Sequence, residues 1–530
     1  MLANKLLSSL SGSASALYSD DVFQTVVRSG TGATATVTTG FQPDLVWTKA
    51  RNTTEYHCLF DPLRGVNVRL CTNVTNANET VGNSLTGFTS TGFTLGSSAT
   101  VNSGSNTYVD FVWKKAPKFF DVVTYTGNGV AGRTISHALG VAPGMVIVKA
   151  TSTGDSWWVW HRSGTQRNDN GAYLNSAGAY TGLGDAIWGS VAGDAPDMNA
   201  SSFGLGSNSG NTNGVQYVAY LFAHDASTDG IIQCGSFTTD GSGNATVNLG
   251  WEPQYVMLKA SAIADGWKVL DSMRGWRTDS GTGLDMNLSP NTSAAETGVN
   301  GPVQPTTTGF RSVGGSASRD YIYLAIRRPN KPPTTGTQVY NAIARTGTGA
   351  AATVTGVGFA PDLVIPKDRK TGVIAGGASY WSDRLRGTQN YLRSDSTAAE
   401  VNDGSNGVLA LTNDGANLGA DGTGFVNYSG ANYINHFFKR APGVFDEVCY
   451  TGTDTTQTIN HSLGVAPEMI IVKRRNSAGS DWCVYTLPTT ATKSLYLNTT
   501  GASANDNLWS PGPTDRKSTR LNSSHDQRSR

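Results

Sequence analysis

The sequence predicts an all-β protein: a tandem array of antiparallel β-sandwich domains of about 100 residues each, jelly-roll or lectin-like in kind. Three observations carry this expectation. A ten-residue pattern, Gly-x-x-Pro followed by an apolar run and a lysine, occurs five times. Short apolar or alternating segments bounded by turn residues follow each copy, and the sole amphipathic helix candidate is a short one at residues 2–10. The composition, with 63 glycines and only 15% charged residues, suits a turn-rich β protein rather than a helical one.

The prolines of the five copies are Pro43, Pro143, Pro253, Pro361 and Pro467, at steps of 100, 110, 108 and 106 residues. Solenoid and propeller repeats run about 20–50 residues, so this period marks an independent domain with its own core. Gly-x-x-Pro is turn chemistry, because glycine reaches positive φ and proline fixes φ and removes a donor. The apolar run after it, such as Met145-Val146-Ile147-Val148, is too short for a helix and reads as a strand buried on both faces. Pro366 interrupts that run in the fourth copy and predicts an edge or bulged strand there.

The next element alternates: Trp157-Trp158-Val159-Trp160, Trp267-Lys268-Val269-Leu270 and Trp482-Cys483-Val484-Tyr485 read as strands. A Gly-Phe element follows at Gly92-Phe93, Gly309-Phe310 and Gly424-Phe425, matched by Ser202-Phe203. Units close on aromatic, β-branched segments beginning at Tyr108, Tyr217, Tyr321 and Tyr433. The resulting division is a leader at 1–24, units at 25–117, 118–226 and 227–329, a stiff Pro-rich linker at 330–336, and units at 337–442 and 443–514. Lys114-Lys115-Ala116-Pro117 and Lys439-Arg440-Ala441-Pro442 end units one and four in nearly the same words, and Ile-x-His-x-Leu-Gly-Val-Ala-Pro is shared by units two and five. The array therefore reads as grown by duplication of a block larger than one unit. Residues 515–530 resemble the translation of a sequencing-library adapter and are set apart from the fold, which makes unit five incomplete by this reading.

Charge is balanced, with 40 basic and 39 acidic residues, so there is no electrostatic footprint for nucleic acid or an anionic membrane. No apolar stretch approaches a membrane span, which speaks against membrane insertion. The five cysteines, Cys58, Cys71, Cys234, Cys449 and Cys483, share no repeat position, so free buried thiols are expected rather than a disulfide framework. The sequence lacks a phosphate loop, His-Glu-x-x-His and Cys-x-x-Cys, and it offers no recurring carboxylate pair for glycoside hydrolysis. No catalytic residue, metal site or cofactor is assigned.

Three sets of residues invite a role. Lys49, Lys149, Lys259, Lys367 and Lys473 each lie six positions after the proline; the structural reading packs the stem and lets the amine snorkel to solvent or a carboxylate, and the alternative is a repeated anion or glycan contact. Asp61 with Arg64, Asp271 with Arg274, and Asp383 with Arg386 form Asp-x-x-Arg-Gly, in which the two charges can pair across a turn and fix a loop; a repeated ligand clamp is the alternative. Trp157, Trp158, Trp160 and His161 are glycan-stacking candidates, although alternation sends at least one ring into the core. His137 and His461 occupy matching turn positions.

The Gly-x-x-Pro-x-hydrophobic-Val-x-x-Lys units, with Trp-x-Val, Asn-Thr-Ser-Ala-Ala-Glu at 291–296, Ser-Thr-Ala-Ala-Glu at 396–400 and Tyr-Ile/Val-x-Tyr, resemble the repeated uncharacterised domain of marine tailed-phage structural proteins. Tail and fibre proteins of cyanophages and pelagiphages are the nearest in kind, and the resemblance covers residues 18–514. It implies a non-enzymatic virion component with other virion proteins as partners. The expected function is a tail-fibre or tail-associated adhesion protein that contacts host-surface glycan through several weak sites at once, with a homotrimer as a possible assembly. The alternatives are a purely structural capsid decoration or tail spacer, and a secreted bacterial adhesin. Five sandwiches in file would reach on the order of 150 Å.

Overall fold

The computed structural model describes residues 16–183, 187–189, 194–278, 285–299, 303–369, 379–421, 425–489, 491–505, 508–509, 512–514 and 517–519. The helix expected at residues 2–10 and most of 515–530 lie outside these. Unit one sets the pattern with β1 (Phe23–Ser29), β2 (Ala35–Thr38), β3 (Leu45–Ala50), β4 (Cys58–Phe60), β5 (Val68–Cys71), β6 (Glu79–Thr80), β7 (Leu85–Thr89), β8 (Gly92–Leu95), the single-turn helix α1 (Ala99–Asn102) and β9 (Thr107–Trp113). A six-stranded antiparallel sheet in the order β1-β9-β3-β4-β5-β6 faces a three-stranded one in the order β2-β8-β7. First strand beside last, and second beside penultimate, is the wrapping of a jelly roll. Because β1 starts at Phe23, the sandwich takes in residues assigned from sequence to the leader.

Units two and four repeat the six-stranded order, and unit three builds four strands of it. In unit five a four-stranded sheet begins with Met469–Val472 and Cys483–Thr486, while Thr458–Asn460 pairs with Lys517–Thr519. That partner strand falls inside the segment set apart as adapter and occupies the pairing position of β8. The Gly of Gly-x-x-Pro has positive φ in every unit, at 80°, 69°, 80°, 85° and 69° for Gly40, Gly140, Gly250, Gly358 and Gly464, as a turn needing glycine requires.

Two element assignments are corrected. The unit-four counterpart of β8 is Gly415–Leu418, paired with Ala352–Val354; Gly424 lies outside the described residues and Phe425 falls after this strand. Gly415, like Gly92 and Gly309, sits where a Cβ would collide with the carbonyl oxygen of the partner strand, so three of these strands open on glycine, and unit two has Ser202 there. Pro366 does not mark an edge. Its strand, Leu363–Asp368, runs between two neighbours, and the pairing to Tyr380–Asp383 lapses after Val364 and returns as a lone bridge at Lys367–Ser379. The irregularity absorbs the missing N–H.

In units one to three the apolar run after the proline is buried on both faces, as expected, but the second face is covered by other units; in unit five it is exposed or half-buried. In unit one Val46, Phe60 and Val112 pack on the small sheet, while Phe23, Leu45, Trp47, Phe111 and Trp113 point the opposite way into a core shared with units two and three. Trp113 lies 6.1 Å from Phe222 of unit two and 6.0 Å from Tyr255 of unit three, ring to ring. Tyr255 also meets Phe23 at 5.5 Å and Phe111 at 5.2 Å. Units one, two and three thus close a ring around one aromatic centre, which corrects the expectation of five sandwiches in file. Units four and five form a second, two-membered arrangement. Buried ion pairs join the two groups: Arg440 grips Glu252 through both terminal nitrogens at 2.9 Å, and Arg328 reaches Asp446 at 2.8 Å. The Pro-rich linker is pinned, with the N–H groups of Asn330 and Lys331 donating to Asp20.

Removing the ring at the shared centre tests this arrangement. Trp113→Ala should cost about 3–5 kcal/mol, and calorimetry should show units one to three still melting together at a lower temperature. Early melting of unit one alone would show that the three cores are independent.

Candidate functional site: the joint between units

The repeated polar residues converge on one structure, the contact through which each unit grips the next. Unit one offers its loop after β5 to unit two, unit two to unit three, unit three back to unit one, and unit four to unit five. The backbone bonds are the same in all four joints. The N–H groups of Asn78, Tyr180, Glu296 and Glu400 donate to the carbonyls of Thr151, Ser261, Arg51 and Arg475 at 2.7–2.9 Å. Each acceptor is two residues past a repeated lysine. In return the N–H groups of Asp155, Asp265, Glu55 and Gly479, six past those lysines, donate to the carbonyls of Thr75, Ala177, Ser293 and Thr397 at 2.8–3.0 Å.

Three of the five lysines are part of this joint. Lys149, Lys259 and Lys473 donate to the same carbonyls of the preceding unit, Thr75, Ala177 and Thr397, and to the carbonyl next to themselves. Lys49 is held by its own unit through Ala50 and Thr53, and Lys367 is half-buried. The expected snorkelling to solvent or a carboxylate is therefore corrected for Lys49, Lys149 and Lys259, which are fully buried and capped by carbonyl oxygens. Burial lowers each of these three amines to about 8, against partial compensation from Glu55, Asp155 and Asp265 respectively.

Asp-x-x-Arg-Gly fixes the turn that carries the joint, as the loop-fixing reading expects. Asp61 accepts from the backbone N–H of Arg64 at 3.0 Å and from its Nε at 2.6 Å, and Arg64 Nη2 donates to the Leu59 carbonyl at 2.9 Å. Arg274 and Arg386 repeat this with Asp271 and Asp383, then extend to Glu296 at 3.0 Å and Glu400 at 2.8 Å. Those glutamates bridge to the next unit, Glu296 to Arg51 and Glu400 to Arg475. All six Asp and Arg side chains are buried, which leaves no open clamp for a ligand. Burial pushes the Glu296 carboxyl up, and Arg274 and Arg51 outweigh it, so the group is held below its ordinary value.

The glycan-stacking expectation at Trp157, Trp158, Trp160 and His161 is corrected as well: all four side chains are buried and present no free ring face. Trp157 spans the joint, its Nε1 donating to the carbonyls of Cys71 and Val74 at 3.1 Å. Trp267 and Trp482 do the same toward Tyr173 and Arg393. His161, at the position of Asp61, donates through Nε2 to the Tyr323 carbonyl of unit three at 2.9 Å and accepts the Ser163 N–H on Nδ1. Burial lowers it to about 4, so it stays neutral near pH 7. His137 and His461 each accept a turn N–H on Nδ1.

Sequence reasoning missed two sets of asparagines. Asn73, Asn175, Asn291 and Asn498 accept the N–H of His57, Trp157, Trp267 and Trp482 at 2.9–3.1 Å and anchor the offered loop. Asn102, Asn211 and Asn427 each bond two or more backbone carbonyls between the loops at one end of a sandwich. Their fixed offset, Asn73 to Asn78 matching Asn291 to Glu296, was readable from an alignment of the repeats. A polar cavity of about 240 Å³ adjoins the first joint, lined by Tyr56, Arg69, Cys71, Asn76 and Glu79 among others. Arg69 is neutralised there by Glu79 at 2.9 Å, and the Cys58 and Cys71 sulfurs lie 3.7 Å apart as free thiols. No group of His, Cys, Asp and Glu among the described residues is arranged to hold a metal ion.

A family model described as Domain of unknown function (DUF7483) matches residues 18–328 and 335–529, and the chain belongs to that family. The first match spans the whole three-unit ring, and the second begins with unit four. No curated protein matches the chain.

Two outcomes test the joint. Lys149→Met should change the pH dependence of stability. Between about pH 8 and 10.5 the unfolded chain holds a proton on this amine that the folded chain has released, so wild type should gain roughly 1–3 kcal/mol on the variant as pH rises through that window. A flat difference in denaturant titrations would show an ordinary amine. Glu296→Gln, which leaves Arg274 short of charge in a buried site, should cost about 3 kcal/mol. Its deficit should shrink as pH falls below about 4.5, where the unfolded chain takes up the proton first, and close once pH passes the lowered value of the native carboxyl.

Proposed function

We propose that the chain is a non-enzymatic structural component of a virion, a rigid block or spacer whose strength comes from intramolecular joints. One observation carries this reading: the repeated residues that could have made a recurring ligand site are engaged in holding one sandwich to the next. The resemblance to tailed-phage structural proteins supplies the setting. Units one to three arrange three copies of one fold about a common centre within one polypeptide, as a homotrimeric fibre does with three chains. The chain then has no need to trimerise, and its partners are other virion proteins.

A second reading, contact with host-surface glycan as part of a tail or tail fibre, is favoured by the cavity beside Tyr56, where an exposed aromatic ring and a charged Arg69–Glu79 pair border an opening large enough for a sugar residue. Arg69 lies over the Tyr56 ring at 5.5 Å, and the feature is built from unit-one residues, so it supplies a single site rather than avidity.

Light scattering of the full chain after size exclusion should give a monomer; a trimer would return the homotrimeric fibre. Arrays of neutral and acidic polysaccharides should show no retention of the chain. Retention that Tyr56→Ala abolishes would establish the adhesive reading in its place.

A further inference from the structure

The four joints vary at one pair of positions, and the pair varies together. Where the offering loop carries glutamate, Glu296 or Glu400, the receiving unit has arginine, Arg51 or Arg475. Where it carries Asn78 or Tyr180, the receiving position is Thr151 or Ser261. Unit four has its own receiving position, two past Lys367, and it holds Arg369. That side chain is exposed, and its guanidinium has no partner among the described residues.

The sheet face beside Arg369 is uncovered too. Strand registers place Tyr340 and Phe438 where unit one has Phe23 and Trp113. Phe23 is 2% exposed and Tyr340 41%. His436 and Phe438 are half-buried, Tyr340 stacking on the first at 6.1 Å and tilted against the second at 5.0 Å. An apolar face at a position that is core in three other units, on a sheet whose receiving arginine has no partner among the described residues, is a joint lacking its partner.

We infer that units four and five form a docking site for one further sandwich of this same family, one whose loop carries glutamate five residues after the anchoring asparagine, as Asn291 and Glu296 do in unit three. The incoming glutamate pairs with Arg369 as Glu296 pairs with Arg51, and the incoming apolar face covers Tyr340 and Phe438. The pairing rule also sets the other side. Unit five offers Ser503, five past Asn498, so the incoming unit carries a small polar residue rather than arginine two past its lysine. A second copy of units four and five fails both conditions, because Ser503 gives Arg369 no charge. This inference does not depend on the proposed virion role.

The test extends the full chain with a second copy of residues 227–329 through a flexible linker of about 20 residues after Arg530. Hydrogen exchange of the amides in Tyr340–Thr346 should slow by about tenfold or more. Arg369→Glu should reverse the slowing. Unchanged exchange in an extended chain whose added unit gives its own folded signal by calorimetry would overturn the inference, as would slowing that ignores this charge change. A dimer of the unextended chain that Arg369→Glu dissociates would assign the face to a second copy and overturn it as well.

Discussion

Each large sheet is apolar on two faces, and a sandwich of this build can cover only one of them. The small sheet protects Val46, Phe60 and Val112, while Trp47, Phe111 and Trp113 on the reverse remain to be buried. Burying a large side chain contributes about 1.5–3 kcal/mol, so a unit alone would expose several such contributions at once. Three units meeting face to face remove the problem for all of them together. The ring is therefore a condition for burying the sheets, and the polar joints exist in the geometry that this burial sets.

The joints separate strength from identity. Backbone bonds repeat at all four, and the lysine and tryptophan contacts at three; none of these distinguishes one unit from another. The variable pair does: Glu with Arg in two joints, Asn with Thr and Tyr with Ser in the others. A buried charge costs several kcal/mol without its partner, so an incorrect neighbour is penalised at this one position while the rest of the joint accepts it. Lys49, Lys149 and Lys259 add a second constraint, because each amine loses water and relies on carbonyl oxygens that only a docked or well-folded loop presents.

Family membership follows the same architecture. One match covers the ring of three units and a second begins with unit four, so the stretch that recurs in this chain is larger than a sandwich. This agrees with the near-identical closing segments of units one and four, Lys114–Pro117 and Lys439–Pro442, which place the period of duplication at three units. The second arrangement departs from the first in a way that the face around Tyr340 and Arg369 makes concrete.

The sequence alone determined the local features: the five turns, in which Gly40 and its counterparts must take positive φ, the apolar strand after each, the number of units and the Asp-x-x-Arg turn lock. These follow from interactions within a few residues or from steric limits of the backbone, and repetition made the turns and strands legible five times and the lock three times. Only the tertiary structure decided that Trp157 is core rather than a sugar platform, that Lys149 reaches a neighbour's carbonyl, and that Asn175 anchors a joint. Alternation says that two faces differ but not what covers each, and a lysine after a buried strand has the same sequence whether it meets water or Thr75. Contacts between units lie about 100 residues apart in sequence, and their partners are fixed by how the sheets close into a ring.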